Sequence, residues 1–210
     1  MSERARARTL CGPFDGLATR VRFAELRTIG FTSAVFGEGT STVALGTSLS
    51  LAALGPAPVL LVDANWLQPS LTSDAGASSA RGLAEVLRGE AELDEVAVPT
   101  GRPGLTFLAA GDTTEARPPL GALPSFLERA LTRFGSIVVD LPPTLVGEPM
   151  VLPWAASIQQ LFIVVRSGVT PISVARRAVD QISVGRPQVI LNWMRGSNGR
   201  DTAAARGAAS

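Results

Sequence analysis

Apolar residues along the chain form short continuous runs that alternate with longer stretches of helical spacing. The clearest runs are residues 59–62, 137–139 and 161–165, and none of them alternates apolar with polar positions. Continuous runs indicate strands covered on both faces, and their alternation with helices indicates right-handed crossovers in a parallel sheet. The pattern therefore predicts an α/β fold with a doubly wound, mostly parallel sheet flanked by helices.

The same pattern predicts the individual elements of this fold. Most of the strands are compact apolar runs. Residues 40–54 are rich in Ala and Leu, and residues 121–133 space their apolar residues for one helix face. The predicted strands cover residues 28–33, 59–62, 105–109, 137–139, 161–165 and 189–191, and the predicted helices cover 40–54, 83–87, 121–133 and 171–183.

The length of 210 residues suits one domain. We predict a flexible N-terminal segment over residues 1–13, a P-loop NTPase-like domain over 14–194, and a disordered tail over 195–210, which is small, polar and aperiodic. Residues 70–80 are rich in Ser, Ala and Gly, which predicts a surface loop.

Composition excludes several classes of site. The chain has 19 basic and 18 acidic residues and a net charge of +1, so no electrostatic footprint for nucleic acid is present. It contains no Lys, His or Tyr, which excludes Schiff-base lysines and Ser-His-Asp or Cys-His sites. The single Cys11 cannot form a disulfide within the chain or a Cys-rich zinc site.

Residues 39–62 carry no charge, which raises the question of a membrane span. The run is broken by Gly and Pro at 55–58 and contains several Ser and Thr residues. A buried helix followed by a buried strand accounts for it better, so no membrane insertion is expected.

Residues 36–42 read Phe-Gly-Glu-Gly-Thr-Ser-Thr and connect the first predicted strand to the first predicted helix. Glycines at such a turn let successive backbone N–H groups point inward, and the helix adds its N-terminal partial positive charge. This context predicts a phosphate-binding loop. Its candidate nucleotide-binding residues are Gly37, Glu38, Gly39, Thr40, Ser41 and Thr42.

A working phosphate loop has Lys immediately before the helix-start hydroxyl, and here that position is Thr40. Removing one preorganised charge of this kind typically costs on the order of 10² to 10³ in rate. The backbone amides and the helix dipole remain, so weak binding of ATP or ADP is still compatible with the sequence. If coding bias alone had replaced the lysines, Arg would be expected here, and Thr40 indicates relaxed selection on catalysis instead.

Asp63 and Asp140 each follow an apolar strand, where ligands bind in parallel α/β sheets. They are candidate catalytic residues, as a base and a metal ligand, and with Ser41 they form a candidate Mg²⁺ site. The alternative is that acids at strand ends cap the following turn or helix.

These segments resemble the bacterial tyrosine kinases of capsule and exopolysaccharide assembly, which belong with the deviant Walker A ATPases of cell division and plasmid partition. The family's loop, Pro-Gly-Glu-Gly-Lys-Ser-Thr, is echoed at 36–42. Its second motif, Val-Asp-Ala-Asp-Leu-Arg-Arg-Pro-Ser-Leu, is Val-Asp-Ala-Asn-Trp-Leu-Gln-Pro-Ser-Leu at 62–71. Its third, an apolar strand followed by Asp-Thr-Pro-Pro, is Ile-Val-Val-Asp-Leu-Pro-Pro at 137–143. The similarity runs over residues 14–192.

The departures from the family pattern agree with one another. The second acid of motif two is Asn65, and the hydroxyl of motif three is replaced by Leu141. The family's ring-assembly helix, Glu-x-x-Arg-x-x-Arg, aligns with Gly12, Asp15 and Ala18, and the C-terminal tyrosine cluster is missing. The resemblance therefore implies a catalytically degraded homologue.

The resemblance also implies a role, partners and a further ligand residue. Asn192 matches the position where relatives contact adenine. The implied function is that of a cytoplasmic accessory protein in exopolysaccharide biosynthesis or export, held at the inner membrane face by a membrane-embedded co-polymerase or chain-length protein. A homodimer is left open. Two alternatives remain: a weakly active Mg-ATP-dependent kinase or ATPase, and a positioning ATPase of the cell-division or partition type.

Tryptophan placement gives one further expectation. Large aromatic residues are usually buried, which is the prediction for Trp154 and Trp193. Trp66 stands in a loop position where relatives are polar, so an exposed contact surface is predicted there.

Overall fold

The computed structural model describes residues 3–78, 80–114 and 119–193, and residues 3–11 by their backbone alone. It contains a seven-stranded sheet with the order β3-β4-β2-β5-β1-β6-β7, in which all neighbouring strands are parallel except β3 and β4. The strands are β1 Thr28–Ser33, β2 Val59–Asp63, β3 Val98–Pro99, β4 Leu105–Leu108, β5 Ser136–Asp140, β6 Gln160–Arg166 and β7 Gln188–Asn192. The predicted fold class is confirmed.

Helices cover both faces of this sheet. They are α1 Glu3–Phe23, α2 Thr40–Leu54, α3 Ser70–Asp74, α4 Leu83–Arg88, α5 Leu93–Val96, α6 Leu123–Leu131, α7 Thr144–Ser157 and α8 Ile172–Gln181. A 3₁₀ turn, Leu120–Ala122, precedes α6.

The core has two halves, one on each side of the sheet. Helices α1 and α2 pack over one half, where the rings of Phe31 and Phe162 stack with centroids 5.3 Å apart. On the other side, Phe126 of α6 meets Trp154 of α7 edge to face at 6.2 Å. Strands β1 and β2 are buried along their whole length, which explains why residues 59–62 of β2 are apolar without alternation.

Some elements are not predicted by the sequence pattern. Helix α1 precedes the first strand and begins at Glu3, inside the segment 1–13 that is predicted to be flexible. Helix α7 contains Pro149 and Pro153, which mask its helical pattern. The short α3 lies within residues 70–80, so the prediction of an irregular loop there is wrong for its first five residues. Helix α5 and strand β3, of four and two residues, are too short to show a period.

The prediction for Trp66 is also wrong. Its side chain is buried in the half of the core beneath α4 and α6, next to the turn that follows β2. Trp154 is buried as predicted, whereas Trp193 is exposed. The predicted tail over 195–210 lies outside the described residues. Among the described helices, none has the length and hydropathy needed to cross a bilayer.

Candidate functional site

The turn between β1 and α2 lies at the carboxyl end of the sheet and has the backbone of a glycine-dependent loop. Gly37 and Gly39 have φ angles of 84° and 85°, in the left-handed region that favours glycine. A Cβ atom at Gly39 would also lie 2.4 Å from Nδ2 of Asn192, closer than atoms can approach. Helix α2 begins at Thr40, as predicted, so its first N–H groups face this turn.

Glu38 fastens the loop to the neighbouring strands. Its side chain is buried, and its carboxylate accepts hydrogen bonds from the backbone N–H of Arg166 and from the hydroxyl of Thr170. Its carbonyl oxygen accepts a 2.9 Å hydrogen bond from Nδ2 of Asn192. We call these four residues the loop clasp. Glu38 and Asn192, two of the candidate nucleotide-binding residues, therefore bond to other groups of the protein.

A cavity of about 230 Å³ opens in front of the loop. Within the described part of the chain, its lining consists of backbone, hydroxyl, amide and apolar groups, and no charged residue takes part. The lining residues are Ser33, Phe36, Gly37, Gly39, Thr40, Ser41, Thr42, Asn65, Gln68, Ser70, Leu141 and Pro143. The cavity thus keeps the amides of a phosphate site and lacks the cation that would neutralise a polyphosphate.

Ser41 lies at the first turn of α2, beside the start of α3. The hydroxyl of Ser70 donates a 2.9 Å hydrogen bond to the Ser41 hydroxyl. This contact joins the phosphate loop to the second motif through two side chains that both line the cavity.

Asp140 ends β5 and is buried. Neither of its carboxylate oxygens has a hydrogen-bond partner among the described residues. Burial raises the pKa of Asp140 well above its usual value, the nearby Ser41 hydroxyl partly offsets this, and the charge of Asp63 adds to it. Asp140 is therefore a buried acid whose ionised form has little to stabilise it.

Asp63 is opposite Asp140 in the pairing of β2 with β5, but its surroundings differ. Its Oδ2 atom accepts hydrogen bonds from the backbone N–H and the hydroxyl of Thr72, both at 2.8 Å. Its Oδ1 atom accepts one from the backbone N–H of Asn65 at 3.1 Å. Burial raises the pKa of Asp63, and these hydrogen bonds lower it in part.

Thr72 extends the Asp63 contacts to the segment that follows β4, the neighbouring strand. Its hydroxyl accepts a 2.9 Å hydrogen bond from the backbone N–H of Ala110, just beyond β4. Asp63 therefore joins α3 to β2 and, through Thr72, to β4. This is the capping role that acids at strand ends commonly have, and Thr72 was not singled out in the sequence.

The fit of Mg²⁺ to this site depends mainly on Asp140. An ionised carboxylate without hydrogen bonds, beside a serine hydroxyl, offers the hard oxygen ligands that Mg²⁺ prefers. Asp63 has already used three of its acceptor positions. Among the described residues no group of three or more acids, His or Cys surrounds one point, so water or phosphate oxygens would complete the shell.

Arg166 lies beside the loop, although nothing in the sequence placed it there. Its guanidinium lies 5.0 Å from the centre of the Trp193 ring, in the geometry of a cation–π contact. Trp193 is 64% exposed and has a φ angle of 60°, and its backbone N–H donates a 2.9 Å hydrogen bond to Oδ1 of Asn192. The signal that could have found Arg166 is its place at the end of β6, the strand next to β1.

The structure therefore brings most of the predicted site residues to one end of the sheet. Gly37, Gly39 and residues 40–42 line the cavity, and Asn192 contacts the loop from the side of β7. Asp63 and Asp140 are buried at the carboxyl ends of β2 and β5. The predicted site residues form two groups. Ser41 lines the cavity and Asp140 is buried near it without a hydrogen bond among the described residues, whereas Glu38, Asp63 and Asn192 bond to the protein itself.

Solved structures with this fold include bacterial tyrosine kinase domains. The kinase domain of VpsO has a TM-score of 0.78 and 26% identity over 92% of this chain and 98% of that chain. The kinase domain of Escherichia coli tyrosine kinase ETK has a TM-score of 0.70 and 25% identity, covering 86% of this chain and 75% of the other. No protein-family profile matches the sequence, and no curated protein is significantly similar to it.

The fold extends to ATPases of another function. The septum site-determining protein MinD from Pyrococcus horikoshii, solved with Mg-ADP, has a TM-score of 0.64 and 20% identity over 78% of this chain and 67% of that chain. The resemblance to bacterial tyrosine kinase domains and MinD-like P-loop ATPases is thus confirmed at the level of structure.

Proposed function

We propose that this chain is a catalytically degraded relative of bacterial tyrosine kinases that acts as a cytoplasmic accessory protein in exopolysaccharide biosynthesis or export. The observation that carries the proposal is the cavity at the phosphate loop, which no charged side chain lines among the residues that the structure describes. Thr40 stands where the transferred phosphoryl group would need a lysine, and a hydroxyl cannot follow the charge that moves during transfer. The absence of tyrosine also leaves no site for tyrosine autophosphorylation.

The proposed partner is a membrane-embedded co-polymerase or chain-length protein, which would hold the chain at the inner membrane face. The support is the likeness to the kinase domains, since in the family such a protein binds and activates the kinase. The loop clasp adds a physical reason, because it can hold the loop in shape without nucleotide. A binding surface that depends on this loop would then persist when the cavity is empty.

The experiment that tests the proposal is a titration of the purified protein with a fluorescent ATP analogue, with and without Mg²⁺. Wild type is compared with Thr40→Lys, which restores the cation, and with Thr132→Lys, which adds the same charge at an exposed position far from the loop. We expect no binding by wild type or Thr132→Lys up to millimolar nucleotide, and a gain of at least tenfold in affinity for Thr40→Lys. Micromolar, Mg²⁺-dependent binding by wild type would contradict the proposal.

The partner is tested separately, by measuring binding of the chain to the cytoplasmic segment of a co-polymerase in the presence and absence of ATP. Binding that is equal in both conditions supports a nucleotide-independent accessory role. Binding only with ATP would contradict it and would move attention to the second candidate function.

The second candidate is a weakly active ATPase or protein kinase, and the state of Asp140 favours it. A buried carboxylate with no hydrogen bond, near the Ser41 hydroxyl, is an arrangement that bound Mg²⁺ would stabilise. In that case Asp140 and Ser41 would hold Mg²⁺, which would neutralise charge on the phosphates. Slow Mg²⁺-dependent hydrolysis that disappears in both Asp140→Ala and Ser41→Ala would establish it, and hydrolysis unchanged in both variants would be due to a contaminant.

A further inference from the structure

Strand β7 forms an edge of the sheet and has the features of a strand that can pair further. Its one neighbour is β6, so its other side carries no strand among the described residues. Residues 187–193 include no charged side chain, and Val189 and Leu191 are 50% and 54% exposed. Native edges are usually protected by charges, bulges, proline or short length. Apart from Pro187 just before it, β7 has none of these.

The opposite edge of the same sheet is protected. Strand β3 is two residues long and ends in Pro99, which has no N–H to donate. The contrast between the two edges indicates that β7 is a binding surface.

The backbone groups of β7 that face outward can be identified from its pairing with β6. The N–H of Ser167 donates a 2.9 Å hydrogen bond to the carbonyl of Asn192, so Asn192 points its carbonyl toward β6. Because backbone groups alternate in direction along a strand, Gln188 and Ile190 also face β6. The N–H and C=O groups of Val189 and Leu191 therefore face away from the sheet.

We infer that β7 is the contact surface for a second copy of this chain, with the two β7 strands antiparallel about a two-fold axis at Ile190. In this register Val189 lies opposite Leu191 of the other copy, and both residues have outward-facing groups. The two-fold axis creates two such pairs, and the two residues of each pair can exchange two backbone hydrogen bonds. Ile190 lies opposite its own copy in the non-hydrogen-bonded position, where side chains come closest.

The side chains are complementary in this register as well as the backbone. Val189 and Leu191 put apolar side chains on the same face of the paired strands. Gln188 lies opposite Asn192 of the other copy, so a polar side chain pairs with a polar side chain. No like charges meet along the strand. A contact of one strand per copy is small, so we expect a dissociation constant in the micromolar range.

The other candidate occupant is residues 194–210 of the same chain, which follow β7 directly. These 17 residues contain no Val, Ile, Phe, Trp or Tyr, and they are mainly Ala, Gly, Arg and Ser. Such a composition disfavours a strand. A second copy offers a better match to β7 than this segment does.

The inferred dimer differs from one that closes around nucleotide. Antiparallel pairing of the edges places the carboxyl ends of the two sheets, and therefore the two phosphate loops, at opposite ends of the assembly. The two phosphate loops would then not face each other across the dimer. Dimer formation should not depend on ATP or Mg²⁺, which keeps this inference separate from the proposed function.

The first test is sedimentation equilibrium of the full chain across micromolar concentrations. We expect a reversible monomer–dimer equilibrium in wild type, at least a tenfold weaker one in Val189→Lys/Leu191→Lys, and no change in the matched edge variant Val98→Lys. A second variant, Val189→Asp/Leu191→Asp, should also be monomeric alone but should form a heterodimer with the lysine variant, because residues 189 and 191 face each other across the axis. Thermal unfolding of each variant separates loss of dimer from loss of fold.

The second test measures the register by disulfide formation in a Cys11→Ser background, which removes the single native cysteine. Ile190→Cys places two thiols directly opposite each other in the non-hydrogen-bonded position and should give a cross-linked dimer on mild oxidation. Gln188→Cys, which lies opposite residue 192, should cross-link at least tenfold more slowly.

Three results would overturn the inference. A strictly monomeric wild type at high micromolar concentration would show that the edge does not pair between copies. A dimer that survives Val189→Lys/Leu191→Lys unchanged would show that another surface is used. Dimerisation that appears only after deletion of residues 195–210 would show that the chain's own C-terminal segment covers β7.

Discussion

Asp140 carries two buried carboxylate oxygens without hydrogen-bond partners among the described residues, and its pKa is raised well above the usual value. An acid with a raised folded-state pKa binds more protons in the folded than in the unfolded protein. The free energy of unfolding therefore falls as pH rises from the usual Asp pKa of about 3.9 to the folded-state value, and it stays lower above that. Asp63 contributes with the same sign.

We expect Asp140→Asn to increase the free energy of unfolding at pH 8 by about 1 kcal/mol or more, because it removes a buried charge. At pH 4 the gain should be smaller, since wild-type Asp140 is then protonated. Urea unfolding at the two pH values checks this, with Asp74→Asn as a matched control at an exposed position. Equal effects at both pH values would show that Asp140 is not charged in the folded protein at pH 8.

Asp63 leads to the opposite prediction. Its three hydrogen bonds support α3 and the turn after β2. We expect Asp63→Ala to lower the free energy of unfolding by about 2–4 kcal/mol, from a lost cap and buried donors left unpaired. Thr72→Val should lose about half as much, because the bond from the Thr72 backbone N–H survives. A change below about 0.5 kcal/mol for Asp63→Ala would show that Asp63 serves a ligand rather than the fold.

At the level of residues, the sequence predicts which side chains gather at the site. It does not predict which of them are hydrogen-bonded to the protein itself. Both Asp63 and Asp140 follow apolar strands, so the pattern treats them alike. What separates them is Thr72, nine positions beyond Asp63, whose hydroxyl reaches back to the carboxylate. Contacts of this kind depend on how a loop returns to the sheet, which residue types alone do not specify.

Among the structural elements, the phosphate loop is held by the loop clasp. A charged acceptor with two donors typically contributes about 1.5–3 kcal/mol per hydrogen bond, and more is lost when the donors remain buried. We expect Glu38→Ala to destabilise the protein by about 2–4 kcal/mol and to increase amide exchange in residues 37–42 and 166–170. Glu128→Ala, at an exposed position, is the control. Unchanged exchange in the loop would mean that the glycines and α2 alone hold its shape.

The elements themselves were predicted with uneven success, for identifiable reasons. The buried strands are recognisable by their short continuous apolar runs, and α2 by an uncharged stretch rich in Ala and Leu that ends before the Gly and Pro residues at 55–58. Helix α7 was missed because its prolines resemble helix breakers, although Gly147 shows that the segment contains a kink. Helix α3 was missed because its five residues are too few to show a periodic pattern.

For the whole molecule, α1 is an integral part of the fold. Ala18 and Val21 are buried in the half of the core that lies under α2. We expect Ala18→Asp to cost more than about 3 kcal/mol, because an unpaired charge would be buried there. Asp15→Ala, on the exposed side of the same helix, should change stability by less than about 0.5 kcal/mol. Denaturant unfolding measures both, and a mild effect of Ala18→Asp would mean that α1 can detach.

This prediction also bears on assembly. The resemblance to bacterial tyrosine kinases puts Ala18 in place of an arginine of their ring-assembly helix, and the Ala18 side chain is fully buried. A long side chain at this position would have to displace its own core before it reached a neighbouring subunit. Ring assembly through this position is therefore not expected of this chain.

The position of Trp193 gives the protein an optical signal at its own phosphate loop. The chain has three tryptophans and no tyrosine, so all of its near-ultraviolet emission comes from indole rings. Trp66 and Trp154 are buried, whereas Trp193 is in contact with solvent and lies under the Arg166 guanidinium. A collisional quencher such as acrylamide should therefore quench the fluorescence of Trp193 more strongly than that of Trp66 and Trp154. A molecule that binds beside the loop and displaces Arg166 should therefore change the intrinsic fluorescence of Trp193, so its binding can be measured in the unmodified protein without a label.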